Sequence, residues 1–186
     1  MDQARLQEMW DHHEIRQLLA TYCHGCDRGD EKEMASVYAQ ESWDDHGPRK
    51  MDGKRFSFET VEEALQTTRL VSHQLGQSLI RIDGDKAGAE TYFIASLIYP
   101  LKEGESVEEL NQLGGRYVDT LERADGKWLI KKRICVREWS ISHPISKDFL
   151  RGAGFVDSAR GQVDVSYEAL CQKHEGELIG ELVQSA

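Results

Sequence analysis

Apolar residues near the start of the chain recur every three or four positions, which is the spacing of an amphipathic helix. This pattern predicts a helix over residues 4–25 that ends near Gly25, because glycine suits a left-handed helix cap. Asp27 would then lie just beyond the helix, held by a rigid element and free to point into the next layer. The predicted apolar stripe consists of Leu6, Met9, Ile15, Leu18, Leu19 and Tyr22.

Two shorter stretches with the same period predict further helices over residues 30–40 and 58–69. Between them, residues 41–48 alternate in polarity and predict a short strand, followed by a turn at residues 51–53. The predicted apolar faces are Met34, Val37 and Tyr38 in the second helix and Phe58, Val61, Ala64 and Leu65 in the third.

Beyond residue 70 the period changes to two, and the turn sequences at residues 83–86 and 124–127 predict hairpins. Three helices followed by long hairpin strands predict an α+β fold in which a curved antiparallel sheet wraps around the helices and forms a cone-shaped pocket. The predicted strands cover residues 71–82, 87–99, 113–124 and 127–140.

The periodicity fades after residue 140, so we predict one domain over residues 1–140 and a C-terminal extension over residues 141–186. A terminal helix is predicted at residues 166–183. The extension would pack on the mouth of the pocket or on a neighbouring subunit.

The formal net charge of −10 argues against a nucleic-acid or anionic-membrane partner, since both bind mainly through Lys and Arg. Neither a signal peptide nor an apolar run long enough to cross a membrane is recognisable, so a cytoplasmic protein is expected. The four cysteines are expected to be free thiols. Cys23 and Cys26 form a C-x-x-C pattern, but a redox pair would be expected at the start of a helix rather than its end.

The most suggestive chemistry involves His73, which opens the first long strand on a predicted apolar face with Leu75 and Leu79. If Asp27 reached one ring nitrogen, it would fix the tautomer and leave the other nitrogen as a general base. Such a dyad removes a proton from carbon without a metal or an organic cofactor. The plainer alternatives are that Asp27 caps the next helix and that His73 is a core residue.

Tyr22 and His46 are the predicted companions of the dyad, because a phenol or a second imidazole can donate a proton to a departing oxygen. Tyr22 could instead be a core aromatic residue, and His46 could cap a turn. No nucleotide-binding, nucleophile-elbow or metalloprotease motif is recognisable. Consecutive strand residues alternate faces, so residues 44–46 cannot all bind one metal, and no metal or cofactor is expected.

Four features resemble the SnoaL-like group of the nuclear transport factor 2-like superfamily, a cystatin-like α+β barrel or cone fold. They are Tyr22-x-x-x-x-Asp27, Asp44-Asp45-His46-Gly47, His73 at the start of a long strand, and Gly114-Gly115-Arg116-Tyr117 before Asp125-Gly126-Lys127-Trp128.

Within that group, Asp27 and His73 match the dyad of the hexachlorocyclohexane dehydrochlorinases. Tyr22, Asp27 and His73 match residues of the bile-acid 7α-dehydratases. Scytalone dehydratases share the fold and do similar work. The resemblance departs at two points. The dehydratase's further aspartate falls near Ser96, and Ile134 occupies the place of the dehydrochlorinase's last-strand arginine, with Arg133 on the opposite face.

The resemblance implies a cofactor-independent lyase or dehydratase that acts on an apolar, aromatic or polycyclic small molecule, assembled as a homodimer or homotrimer. Isomerisation and retro-aldol cleavage remain open on the same dyad. A non-catalytic ligand carrier or the small subunit of an oxygenase is the alternative of another class. The residues expected to bind substrate are Trp43, Leu75, Phe93, Tyr99, Arg116 and Tyr117.

Overall fold

The structure is a computed structural model that describes residues 2–101, 107–145, 150 and 152–170. Helices precede a curved, unclosed six-stranded sheet, which confirms the predicted α+β class. The helices are α1 (Gln3–Arg28), α2 (Glu31–Ser36), α3 (Gly53–Thr67) and α4 (Val165–Ala169), with a 3-10 turn at Gly161–Val163. The strands are β1 (Tyr38–His46), β2 (Arg49–Met51), β3 (Leu70–Asp83), β4 (Lys86–Tyr99), β5 (Glu108–Ala124) and β6 (Lys127–Ile145).

The strands are ordered β2-β1-β6-β5-β4-β3. The β3 to β6 strands form the predicted antiparallel hairpins, and positive φ angles at Gly84 and Gly126 allow the two tight turns. One pairing departs from the predicted antiparallel arrangement, because β1 pairs with β6 in parallel. Among the described residues, no helix is both long and apolar enough to cross a membrane.

Helix α1 continues past the predicted end, and Gly29, with φ 73°, is the left-handed cap. Gly25 instead lies where α2 approaches α1, since a Cβ there would be 2.5 Å from the backbone nitrogen of Met34. Glycine at position 25 therefore serves close packing, and Asp27 lies in the last turn of the helix rather than beyond it.

The apolar stripe of α1 begins at Ile15, because Leu6 and Met9 are exposed. The inward position one turn earlier is occupied by Asp11, whose carboxylate accepts a hydrogen bond from Trp128 Nε1 at 3.2 Å and pairs with Arg123 at 2.7 Å. A buried carboxylate with these partners takes the place that periodicity assigns to an apolar side chain.

The second and third helices also differ from the prediction. Residues 38–40 belong to β1 rather than α2, because Tyr38 pairs with Ile130 of β6. Residues 51–53 are not a turn, since Asp52 accepts from the Arg55 backbone nitrogen and starts α3 there. This earlier start buries Phe56 and leaves Phe58 and Leu65 exposed, which corrects the predicted face.

Two β-bulges change which side chains of the long strands point inward. An extra residue of β3 between Leu75 and Ser78 turns Leu79 to the exposed face, so it does not share the face of His73. A register shift in β6 opposite Thr120 and Leu121 likewise reverses the facing of the side chains that follow it. Arg133 therefore points inward and is completely buried. The prediction that Arg133 faces away from the interior was wrong for this reason.

Strand β6 extends to Ile145, beyond the predicted domain boundary at residue 140. The described part of the C-terminal segment packs against the end of α1 and against α2, through contacts such as Tyr167 to Asp30. Of the terminal helix predicted for residues 166–183, the structure has the short helix α4 over Val165–Ala169, which ends at the cap Leu170. Residues 171–183 lie outside the described part of the chain.

Glycine 115 offers a test of the packing between β5 and β6, because a Cβ at this position would lie 2.1 Å from the carbonyl oxygen of Val136. We expect Gly115→Ala to lower the free energy of unfolding by about 2 to 3 kcal/mol, since the backbone must shift to admit the methyl group. Gly88→Ala is the matched control, because no atom lies within 4 Å of its new Cβ. Equal denaturation midpoints for the two variants in urea would contradict this account of the packing between β5 and β6.

Candidate functional site

Asp27 and His73 meet where the last turn of α1 contacts the start of β3. The Asp27 carboxylate accepts from the His73 ring at Nδ1, with an Oδ1–Nδ1 distance of 2.6 Å, and from the His73 backbone nitrogen at 2.8 Å. Both side chains are about one-tenth exposed, at 11 % and 10 %. Because one carboxylate holds both groups, the imidazole is oriented with Nδ1 as donor and Nε2 free of protein partners among the described residues.

The alternative in which Asp27 caps the following helix does not describe this structure. Asp30 has that role, because its side chain accepts from the Glu33 backbone nitrogen at 2.9 Å. Asp27 thus directs its carboxylate toward the sheet, and α2 is capped without it.

A second histidine–aspartate pair lies on β1. Asp44 is completely buried and accepts hydrogen bonds from His46 Nδ1 and from the Tyr38 hydroxyl. The His46 ring is stacked on Phe56 with centroids 4.4 Å apart. Burial raises the pKa of Tyr38 well above its ordinary value, so this phenol remains a hydrogen-bond donor to Asp44.

Arg133 of β6 is, like Asp44, a completely buried charged residue of the site. Its guanidinium lies between Tyr22 and Tyr117, 4.1 Å from each ring centroid, and forms a two-pronged ion pair with Asp119 at 2.8 Å. Burial by itself lowers the pKa of Arg133, but the paired Asp119 carboxylate raises it well above the ordinary value. One nitrogen, Nη1, has no hydrogen-bond partner among the described residues.

Tyr22 completes this part of the site. Burial raises the pKa of its phenol well above the ordinary value, so the hydroxyl is neutral. No described residue forms a hydrogen bond with it. A neutral phenol in this position has a proton to donate.

An aromatic layer connects the two histidines. Phe93 and Tyr117 are stacked with centroids 4.2 Å apart; His73 lies 6.4 Å from Phe93, and His46 lies 6.1 Å from Tyr117. Both imidazoles therefore border the same pair of buried rings.

The structure brings most of the predicted site residues to this inner face. Leu75, Phe93 and Tyr117 pack in or against the core, and Tyr99 is on the same face of β4 as Phe93. Trp43 and Arg116 are corrections. Trp43 is 45 % exposed on the face of β1 opposite Asp44, and Arg116 forms ion pairs with Glu90 and Glu138 on the outer face of the sheet.

Sequence reasoning missed Arg133 and its partner Asp119, together with the link from Tyr38 to Asp44. Asp119 is two residues after Tyr117 in β5, and Asp44 is two residues before His46 in β1. Strand alternation is therefore compatible with both carboxylates on the inner face. The face to which Arg133 points could not be predicted, because it depends on a β-bulge that no turn residue in the sequence indicates.

Among the residues that the structure describes, Cys26, Asp27 and His73 form a group that could hold a metal ion, with their ligand atoms all within 4.8 Å of one another. Burial raises the pKa of the Cys26 thiol to about 12, and the thiol therefore stays protonated at neutral pH. Cys23 is also a buried free thiol. These properties make both thiols poor nucleophiles.

The sequence also matches a family model. The model of the SnoaL-like domain fits residues 7–134, which span the first three helices and most of the sheet. The chain belongs to the SnoaL-like family. No curated protein sequence matches it at a significant level.

Solved structures support the same fold for this SnoaL-like protein. A scytalone dehydratase-like protein from Novosphingobium aromaticivorans has 21% identity and a TM-score of 0.62, with 86% of this chain and 96% of that chain covered. A hexachlorocyclohexane dehydrochlorinase of type 2 has 17% identity and a TM-score of 0.65, with 84% and 99% covered. At these identities the similarity establishes the fold and leaves the reaction to the site.

The ion pair in the core of this SnoaL-like protein makes a quantitative prediction. Asp119→Asn leaves the Arg133 charge buried without a counterion, and we expect the free energy of unfolding to fall by about 3 to 5 kcal/mol. Asp83→Asn, at an exposed residue of β3, is the matched control. Urea denaturation measures both variants, and a loss below about 1 kcal/mol for Asp119→Asn would show that the pair does not determine stability.

Proposed function

We propose that the protein is a cofactor-independent lyase that removes a proton from carbon and eliminates a leaving group from a small aromatic or polycyclic molecule. The observation that carries the proposal is the two-point contact of the Asp27 carboxylate with the ring and backbone of His73. Membership of the SnoaL-like family and the fold shared with a dehydratase-like protein and a dehydrochlorinase support it.

In the proposed reaction, Nε2 of His73 takes the proton, and the electrons of the broken C–H bond form the new double bond. Asp27 stabilises the imidazolium that results, because its carboxylate already accepts from Nδ1. The leaving group departs with the electrons of its bond to carbon. The free Nη1 of Arg133 and the Tyr22 hydroxyl are the donors available to it.

A departing hydroxyl group requires a proton, and His46 is the proposed acid. Its Nδ1 is held by Asp44, so a protonated ring would present Nε2–H to the leaving oxygen beside the aromatic layer. Water is then released, His73 gives up its proton to solvent, and His46 takes one up from solvent. Departing chloride needs only the donors of Arg133 and Tyr22.

Isomerisation or retro-aldol cleavage would use the same base, and product mass separates these reactions. Elimination loses the mass of the leaving group, isomerisation conserves mass, and retro-aldol cleavage releases an aldehyde. A non-catalytic carrier would not need an imidazole oriented by a carboxylate that also bonds the backbone of the same histidine, which is why we place the carrier second.

The test uses hexachlorocyclohexane and scytalone as probes, with release of chloride or loss of water as the readout. We expect His73→Asn and Asp27→Asn each to lower turnover about 10²- to 10⁴-fold, because the base is removed or its tautomer is no longer fixed. The midpoint of thermal unfolding should fall by only a few degrees.

His143→Ala and Asp83→Asn are the controls, since both residues are exposed and outside the site. Native turnover in either dyad variant would contradict the proposal. A native protein that converts neither hexachlorocyclohexane nor scytalone would contradict it as well.

A further inference from the structure

The C-terminal segment from Ser158 to Leu170 returns to the end of α1 and is anchored there. Arg28, next to Asp27 in sequence, donates to Ser158 Oγ at 2.7 Å and to Asp164 Oδ2 at 3.0 Å. Hydrogen bonds from Ser166 and from the Ala159 backbone lower the pKa of Asp164 far below its ordinary value. This anchor therefore remains charged and intact at neutral pH.

A second anchor lies on the other side of the segment. His24 bonds Glu33 at 2.7 Å and Ser166 Oγ at 3.2 Å, and the Tyr167 hydroxyl donates to Asp30 at 3.3 Å. Tyr167 is buried by these contacts. The segment is thus held at two places beside the helix end that carries the dyad.

The same segment places Arg160 over this end of the helical layer. Its Nη2 donates to Thr68 Oγ1 at 2.9 Å, just before the strand that carries His73. Its Nη1 is buried and has no hydrogen-bond partner, and the guanidinium forms no ion pair with any described residue. Arg28, by contrast, is fully engaged with Asp164 and its neighbours.

Two contacts place this guanidinium beside the end of α1 that carries Asp27. Arg28 donates to the carbonyl of Ala159, the residue before Arg160, at 3.3 Å, and Arg160 itself bonds Thr68 just before β3. Burial lowers the pKa of Arg160, while Cys26 and Asp27 act in the opposite direction and Arg28 adds to the lowering. Cys26 and Asp27 are consecutive residues of α1, and Asp27 bonds His73. Arg160 is therefore a cationic group supplied by the C-terminal segment to the region of the proposed base.

A guanidinium with a buried and unused N–H is destabilising, because arginine does not lose its proton and the N–H has lost its water. An oxygen anion relieves both costs, since it accepts the hydrogen bond and neutralises the charge. Arg133 differs, because Asp119 already supplies its counterion. Within the described part of the chain, Arg160 has a buried nitrogen of this kind and still lacks a counterion.

We propose that Arg160 binds an anionic oxygen group of the substrate, such as a carboxylate or phenolate, and so orients its aromatic body toward His73. This inference rests on the proposed function, because it assumes that the ligand occupies the space beside the dyad. It assigns the C-terminal segment a role in selecting anionic aromatic substrates, and Arg160 is a specificity residue.

Binding of 2-naphthoate and of its neutral analogue 2-naphthamide tests the inference by isothermal titration calorimetry. We expect the native protein to bind the anion at least about tenfold more tightly than the amide, the effect of one charged hydrogen bond. Arg160→Gln should reduce this preference to less than about twofold and leave the Kd of naphthamide unchanged. Arg81→Gln, at an exposed arginine of β3, should keep the native preference.

An unchanged preference in Arg160→Gln, equal binding of the two probes by the native protein, or binding of neither would overturn the inference. Circular dichroism checks that each variant is folded. If Arg160→Gln does not fold, Arg160→Lys decides, because an ammonium loses the planar guanidinium contact. A loss of preference of about threefold or more then supports the inference, and a smaller loss or none overturns it.

The binding measurement needs no turnover, so the two proposals fail separately. Loss of the anion preference with the elimination activity intact would remove only the role of Arg160. Absence of elimination with a preserved, Arg160-dependent preference would remove only the reaction.

Discussion

The carboxylate of Asp27 connects the helical layer to the sheet at the candidate site. It accepts from both the backbone and the ring of His73, so it positions the start of β3 against the last turn of α1 as well as the imidazole. A carboxylate that accepts two hydrogen bonds in a partly dry environment is held more rigidly than one that accepts a single bond. The proposed base is therefore oriented by the fold itself.

Other buried carboxylates of the interior are also held by specific partners. Asp119 joins β5 to Arg133 of β6, and Asp11 joins α1 to Trp128 of β6. Asp44 bonds Tyr38 and His46 within β1, and the Tyr38 ring lies over Gly53 at the start of α3. Buried charges are tolerated only with such partners. An interior of this kind provides fixed donors and acceptors, which is what an elimination reaction without a cofactor requires.

The sequence predicted the parts of this arrangement that depend on local patterns. The long strands and their turns were recognisable from alternation and from Asp-Gly pairs, and Asp27 and His73 were recognisable as a possible dyad. The direction of Arg133 was not, because one extra residue in β6 reverses the facing of the side chains that follow it as far as the next register shift, opposite Gly114 and Gly115. The choice of Gly29 over Gly25 as the helix cap depended on the approach of α2, a tertiary contact without a local signal.

The proposed chemistry depends above all on Asp27 fixing His73 with a proton on Nδ1, which leaves Nε2 unprotonated to act as the base. Two-bond ¹H–¹⁵N correlation spectra of the ¹⁵N-histidine-labelled protein, recorded where His73 is neutral, report this tautomer directly. We expect His73 to be the Nδ1–H tautomer, with Nε2 showing the shift of an unprotonated nitrogen. An Nε2–H tautomer, or rapid averaging of the two forms, would contradict this assignment.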